Sequence, residues 1–272
     1  MGLVIPNGGH YTPVKTQALA SQAKIFNPRL IISGASAYPR DWEYAKLREI
    51  TDKEGNWLIA PLTTVMLSQL PRLIFFRKDL ENAKDLEKRV NEGVADPAFK
   101  AYAKQVVANA RTLAAALAEH GYKLQTGGSD NHLVLWDLRP LGLTGSKVEK
   151  ICDLMGITIN KNAVSGDASA QVPGGIRLGT SALTSRNMTE KDIKVVADFL
   201  HRSIQLSLLL QKEAGSKLLK DFVRVATTQE EGKQGFAQVK QLRDEVRAFA
   251  KQWPLPGVDA ANFKKPAGVD EN

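Results

Sequence analysis

Cysteine, long apolar runs and targeting signals are scarce or missing in this sequence. Its 272 residues include a single cysteine, Cys152, so the chain cannot form an internal disulfide. No apolar run approaches the length needed to span a bilayer. Residues 1–30 show neither a charged-then-apolar signal nor an Arg- and Ser-rich transit pattern. We therefore expect a reducing, cytoplasmic setting and no membrane partner.

The sequence also lacks a block of basic residues, although it is basic overall. The formal net charge is +8 and the pI is about 9.5. Lys and Arg are spread along the predicted helices with Glu and Asp between them, and no RNP-like aromatic strand is present. Dispersed charge is typical of a solvated surface, so specific nucleic-acid binding is disfavoured, and attraction of a polyanionic small ligand explains the charge equally well. With 43% hydrophobic and 24% charged residues, the composition is that of a soluble globular protein.

Helices and short apolar strands alternate in the first part of the chain. Such alternation indicates an α/β protein with a parallel sheet. The strands are too few and too scattered for the helices, so residues 1–90 look like pieces of a sheet. The predicted helices cover 14–26, 41–54 (capped by Asp41) and 79–92, and the predicted strands cover 30–32, 57–59 and 73–76.

Residues 96–252 are predicted to form a helix-rich α/β domain of their own. Asp96 followed by Pro97 marks the start of a long helix that stops at Gly121. The tail, residues 253–272, is rich in Pro, Gly and charge and is predicted to be disordered. Other predicted elements are strands at 122–124 and 132–136, a helix from a Ser146/Glu149 capping box to Gly156, a helix from a Thr189/Asp192 capping box to about 213, and a last helix over 229–252.

A short strand with one arginine between glycines is the strongest candidate for a binding element. Residues 173–180 read PGGIRLGT, with Arg177 between two apolar residues. Glycines let backbone approach a ligand closely, and a guanidinium binds a carboxylate through two hydrogen bonds. The stretch therefore indicates a site for a small carboxylate. A surface arginine on an edge strand is the alternative interpretation of this spacing alone.

Five motifs in order resemble those of the serine hydroxymethyltransferase family. This family is similar in fold to the aspartate-aminotransferase class (fold type I) of pyridoxal-phosphate transferases. The resemblance implies an α/β fold and one-carbon metabolism, in which serine and tetrahydrofolate give glycine and methylenetetrahydrofolate. Pyridoxal 5'-phosphate would be the cofactor and tetrahydrofolate the co-substrate. The motifs are Gly8-Gly9-His10, residues 34–39 (GASAYP), residues 129–135 (SDNHLVL), Asn160-Lys161-Asn162 and residues 175–180 (GIRLGT).

The resemblance also implies roles for individual residues. Arg177 would bind the amino-acid carboxylate and His10 would stack on the pyridine ring of the cofactor. Ser36 would hydrogen-bond the phenolic oxygen of the cofactor. The residues implied toward the folate are Gly9, Tyr11 and Asn162, and no metal site is implied. Without the ordered company of the other motifs, turn positions for His10 and Asn162 and a helix cap for Ser36 are the favoured interpretations.

The chain departs from the family between the predicted strands at 57–59 and 73–76. There the family carries an aspartate that pairs with the pyridinium nitrogen and a lysine that forms the Schiff base with the cofactor. Residues 60–72 of this chain read APLTTVMLSQLPR and contain neither Asp nor Lys. Family segments are also missing after Pro13 and near residues 90–94, and the family's N-terminal portion is absent. Intact motifs beside missing blocks favour skipped exons or a faulty gene model, so we expect an internally and N-terminally truncated chain without a catalytic lysine.

Three functional hypotheses follow from these features. The first is a truncated family member, inactive by itself, whose function belongs to the full-length product. The second is a non-catalytic isoform that pairs with intact subunits, since the family forms dimers and larger assemblies; the small-molecule partners would be serine, glycine and folate. The third is a basic RNA- or anion-binding module. We rank the hypotheses in this order.

Overall fold

The first part of the chain forms two helices and a two-stranded parallel sheet. The computed structural model describes residues 13–26, 30–32, 37–40, 44–53, 57–59, 92–93, 95–169 and 171–257. Leu30 lies opposite Trp57 in the sheet, and Leu19 of the first helix packs with Leu47 of the second. The elements are α1 (Pro13–Phe26), β1 (Leu30–Ile32), α2 (Tyr44–Lys53) and β2 (Trp57–Ile59).

The alternation predicted for this part is confirmed for these four elements. The two strands run parallel and are joined through a helix, as expected for a βαβ unit. The predicted cap Asp41, the strand at 73–76 and residues 79–91 of the predicted helix at 79–92 lie outside the described residues.

In the described residues, the second part combines a three-stranded antiparallel sheet with six α-helices and one short 3-10 helix, Arg139–Leu141. The strand order is β3-β5-β4, so β5 is central. None of the described helices is long and apolar enough to cross a membrane. The elements are α3 (Pro97–Glu119), β3 (Leu133–Asp137), α4 (Gly145–Leu154), β4 (Asn160–Asn162), β5 (Gly175–Gly179), α5 (Ser181–Ser185), α6 (Glu190–Ala214), α7 (Leu219–Thr227) and α8 (Gly235–Ala250).

One face of this sheet supplies the main hydrophobic core. Val134 pairs with Leu178 and Trp136 with Ile176, and all four side chains are buried. They belong to one cluster with residues of every long helix of this part. Because successive residues of a strand point to opposite faces, Arg177 projects from the other face of β5.

Two predicted helix starts are confirmed in detail. The Asp96 carboxylate accepts a hydrogen bond from the backbone N–H of Ala98 at 2.7 Å, and Pro97 opens α3. At α6, the backbone N–H of Thr189 donates to Asp192 in a complete capping box. Both signals are local in sequence, which is why sequence alone found them.

Three other local predictions were wrong. The helix α4 begins at Gly145 with Thr144 as its N-cap, and Glu149 accepts from the backbone N–H of Lys161 instead of forming a capping box with Ser146. The predicted strand at 122–124 contributes one bridge, Leu124 with Trp136. The last helix begins at Gly235 rather than 229 because both carboxylate oxygens of Glu213 accept the backbone N–H groups at 234 and 235. No strand was predicted at β4 and no helix at α5 or α7.

Residues 37–40 are held against the turn at 126–131 by several hydrogen bonds. Arg40 donates to the hydroxyl of Thr126 and, at 3.0 Å, to the carboxylate of Asp130. The amide of Asn131 donates to the carbonyl of Tyr38 at 2.9 Å. We call this set of contacts the Arg40 clamp. It links the part that contains β1 and β2 to the part that contains β3 to β5.

Candidate functional site

Arg177 and two asparagines lie on one face of the second sheet. Asn160 is directly opposite Arg177, and Asn162 lies two residues further along β4 on the same face. The guanidinium of Arg177 donates to the side-chain oxygen of Asn160 at 3.1 Å. Arg177 and Asn162 are half-buried and Asn160 is exposed. This face therefore combines one cation with two carboxamides at the surface of the sheet.

This donor set suits a small carboxylate. A guanidinium presents N–H groups in a planar fork that matches two carboxylate oxygens. Asn160 accepts one N–H and thereby fixes the plane of the fork. The pairing with Asn160 was missed in the sequence, although the Asn-x-Asn alternation of β4 places both amides on one face.

The glycines beside Arg177 have a different role from the one predicted. A Cβ atom at Gly174 would lie 2.6 Å from the Asp167 carboxylate, and one at Gly175 would lie 2.6 Å from the carbonyl oxygen of Trp136. Protein atoms, rather than a ligand, therefore approach these two glycines. They allow β5 to fit tightly between β3 and the preceding loop, which fixes the strand that carries Arg177.

A buried carboxylate anchors the end of β3 next to this strand. The side chain of Asp137 is fully buried and accepts hydrogen bonds from the backbone N–H, Nε and Nη2 of Arg139. Lys123 approaches the same carboxylate at 3.1 Å, and Arg139 also pairs with Asp167 at 3.4 Å. The hydrogen bonds from Arg139 lower the pKa of Asp137 to about 2, although burial opposes the shift. Asp137 is therefore ionised at neutral pH.

His132 is a further residue near Arg177 to which sequence reasoning gave no role. Its Nδ1 atom is buried and has no hydrogen-bond partner in the described part of the chain. Burial, with a contribution from the positive charge of Arg177, lowers the pKa of His132. Its carbonyl oxygen accepts the backbone N–H of Thr180 at 3.0 Å, which ties β3 to the residue after β5. The ring is neutral at pH 7 and adds no second positive charge beside Arg177.

The structure places two of the six predicted site residues and brings them together. Arg177 and Asn162 share the sheet face described above, and the amide of Asn162 donates to the carbonyl of Ala163. The other four, Gly9, His10, Tyr11 and Ser36, lie outside the described residues. Within the described ranges, no cluster of three His, Cys, Asp or Glu residues could hold a metal ion.

Comparisons with known proteins agree with the five motifs. The family model for serine hydroxymethyltransferase matches residues 1–67 and 88–200. Serine hydroxymethyltransferase 4 of Arabidopsis thaliana is 37% identical over 97% of this chain and 73% of its own length. Serine hydroxymethyltransferase 3, chloroplastic, of the same plant is 41% identical over 88% of this chain and 54% of its own length. The cytosolic serine hydroxymethyltransferase of Oryctolagus cuniculus is 34% identical over 95% of this chain and 71% of its own length.

The chain thus spans about half the length of one curated relative and nearly three quarters of two others. The matched regions include β1 and β2 and run from before α3 into α6. The motif that contains Arg177 lies inside them. By the family model and by these relatives, the chain belongs to the serine hydroxymethyltransferase family.

Proposed function

We propose that this chain retains the amino-acid-binding side of a serine hydroxymethyltransferase site but does not by itself convert serine to glycine. The family is one of α/β fold type I enzymes that use pyridoxal phosphate and tetrahydrofolate. The proposal rests on one combination of features. The chain has a candidate carboxylate site at Arg177, but its residues 60–72 contain neither lysine nor aspartate.

The lengths of the alignments support an internal truncation. The alignment with serine hydroxymethyltransferase 4 covers 352 positions, which exceeds the 272 residues of this chain by 80. At least 80 positions therefore lie opposite gaps within this chain. The family model also matches in two blocks and leaves out residues 68–87. An internally truncated family member is expected to show this pattern, in which matching segments are separated by missing ones.

The residues beside Arg177 do not fit the cofactor's covalent chemistry. Pyridoxal phosphate needs a lysine amine for its aldehyde and a carboxylate for its ring nitrogen. Lys161, the lysine within the site motif, lies opposite Ile176 on the other face of the sheet, 3.9 Å from Glu149. The Asp137 carboxylate is bound by Arg139 and Lys123. The described part of the site is therefore suited to a carboxylate and offers no candidate for the Schiff-base lysine.

A titration with pyridoxal phosphate tests the proposal. The purified full chain would be mixed with the cofactor, reduced with borohydride and mapped by peptide mass spectrometry, and glycine formation from serine and tetrahydrofolate would be measured in parallel. We expect no stoichiometric adduct at any one lysine and no glycine above background. A Lys161→Arg variant is the matched control and should behave identically. One labelled lysine at full occupancy, together with turnover, would show that another lysine has taken the role.

We propose that Arg177 binds the carboxylate of the amino acid and that Asn162 lies toward the folate. His10, Ser36, Gly9 and Tyr11 keep the roles that the resemblance implies. Loss of a charge-assisted, bidentate contact corresponds to about tenfold weaker binding or more. Glycine binding, measured by saturation-transfer NMR, should weaken at least tenfold in Arg177→Gln. Unchanged binding in that variant, with retained signals of a folded domain, would contradict the assignment.

We also propose that residues 96–252 are a folding unit, residues 1–92 the remnant of the large domain, and 253–272 a tail. Among the described residues, those of the main core all belong to the second part, from Leu113 to Phe249. A fragment covering 95–257 should therefore unfold cooperatively in urea, as single domains of this size do. A gradual, probe-dependent transition would show that the first part is needed for folding.

We propose, as the second candidate function, a non-catalytic subunit that pairs with intact family members. Co-expression with a full-length family enzyme followed by affinity capture would test it, and recovery of the chain alone would exclude it.

We propose the cytosol as the compartment because one relative is named cytosolic, although another is named chloroplastic. Imaging of a tagged full chain checks this.

A further inference from the structure

A cavity of about 270 Å³ lies on the core side of β5, on the opposite face from Arg177. Its walls come from α3, the loop at 156–159, the end of β5, α5, α6 and α8. Leu178 and Gly179 form the β5 wall. We call this space the β5 cavity. Because Arg177 pairs with Asn160 across the other face, the β5 cavity is separate from the carboxylate site described above.

The lining of the β5 cavity is mainly apolar and incompletely covered. Four side chains that pack on the main core but stay partly exposed contribute to the wall: Ile157, Leu183, Val196 and Phe249. The volume equals that of about nine water molecules at roughly 30 Å³ each. Water gains few hydrogen bonds from such a wall, so an apolar molecule is the favoured occupant.

Among the lining residues that the structure describes, Arg186 is the one charged residue and none is acidic. Its Nη2 donates to the carbonyls of Ala250 and Trp253, and its Nε donates to the carbonyl of Pro254. These bonds hold the guanidinium at the C-terminal end of α8. Its Nη1 makes no hydrogen bond within the described residues. A fixed cation beside an apolar space attracts one negative charge at the end of an apolar body.

We propose that the β5 cavity binds a small apolar monocarboxylate, with the alkyl or aryl body among the side chains of α5, α6 and α8 and the carboxylate on Arg186. Pockets for drug-sized ligands begin at about 300 Å³, so this cavity suits a molecule of about ten non-hydrogen atoms. Octanoate has this size and charge. The single cation excludes a dicarboxylate as the preferred ligand, because its second charge would be buried without a partner.

Isothermal titration of the purified full chain with octanoate tests the proposal, below the concentration at which octanoate forms micelles. Octanol and octylammonium serve as matched probes with the same chain and no negative charge. Val196→Phe fills the space from α6, and Ala182→Leu fills it from an exposed position of α5. The control variant is Ala115→Leu, an equal change at an exposed position of α3 outside the lining.

We expect octanoate to bind at one site, at least tenfold more tightly than octanol or octylammonium. Binding should weaken at least tenfold in Val196→Phe and Ala182→Leu, and about tenfold in Arg186→Gln, with no change in Ala115→Leu. Circular dichroism shows whether each variant is folded. If Val196→Phe or Arg186→Gln unfolds, Ala182→Leu still tests the proposal. Equal binding of octanoate and octanol, or no loss in Ala182→Leu, would overturn the proposal. So would the absence of octanoate binding to the folded wild-type chain.

Discussion

Replacement of Asp137 by asparagine should destabilise the second part of the chain measurably. Asn keeps the size of the side chain but removes the charge that Arg139 and Lys123 neutralise. The carboxylate is fully buried, whereas the side chains of Arg139 and Lys123 are 34% and 61% exposed and can be solvated when it is lost. The cost should therefore stay below the 3–5 kcal/mol that is typical when one member of a fully buried ion pair is removed.

The lowered pKa gives the magnitude and its dependence on pH. A carboxyl with a pKa of about 2 in the folded state and an ordinary value near 3.8 in the unfolded chain contributes about 2.4 kcal/mol at pH 7. This stabilisation is present above the unfolded pKa and is lost as the pH falls through the folded one. At pH 3 about half of it should be left.

Urea denaturation of the wild type and Asp137→Asn at pH 7 and pH 3 measures both effects. We expect a loss of about 2 kcal/mol in the free energy of unfolding at pH 7, or roughly 4–8 °C in Tm. Asp153→Asn, at an exposed position of α4, is the control and should change stability by less than about 0.5 kcal/mol. Equal stability of Asp137→Asn and wild type at pH 7, or a loss of the same size at pH 3, would refute the reasoning.

Two further predictions follow from buried contacts elsewhere. Burial, with a contribution from His120, lowers the pKa of His201, whose neutral ring is 2.8 Å from the hydroxyl of Tyr122. The unfolded chain then binds more protons as the pH falls below 6.5, so stability should decrease from pH 7 to pH 5.5 in the wild type and less so in His201→Gln. Chemical denaturation over that range checks this, and parallel pH profiles would contradict it. Gly175→Ala should cost about 1–3 kcal/mol because the added Cβ would meet the carbonyl of Trp136. In the same melts, the control Gly93→Ala should not destabilise the chain, because its Cβ would meet nothing within 4 Å at a helical position.

The elements that sequence predicted correctly begin with signals that lie within one helical turn. The Asp96 carboxylate accepts the backbone N–H of Ala98, and Pro97 has no N–H group to satisfy. At α6, the Asp192 carboxylate accepts the backbone N–H of Thr189. No distant residue is needed for such caps, so the start of the helix can be located from the sequence.

The elements that sequence predicted wrongly depend on partners far along the chain. The start of α8 is set by Glu213, which belongs to the preceding long helix. Glu149 satisfies a backbone donor of β4, and Ser146 lies inside a helix whose N-cap is Thr144, so the two do not form a capping box. A local pattern contains no information about such contacts, because they exist only after the helices have packed.

The candidate site shows the same division between local and distant information. Its central residue, Arg177, is marked by the motif around it, but the pairing with Asn160 follows from the register of β4 and β5. The tight packing around Gly174 and Gly175 likewise depends on Asp167 and on the neighbouring strand. Residue types could suggest a carboxylate ligand, whereas only the packed sheet distinguishes a glycine that faces a ligand from one that faces protein.

The Arg40 clamp has a consequence for the synthesis of this chain on the ribosome. Its hydrogen bonds join residues that are 86 to 93 positions apart. At about 5–20 residues per second, residues 37–40 emerge roughly 5–20 s before the turn that receives them. During that interval α1, β1, α2 and β2 lack the turn at 126–131 that Arg40 contacts. Chaperones and proteases would therefore meet the first part of the nascent chain while the second part is still being translated.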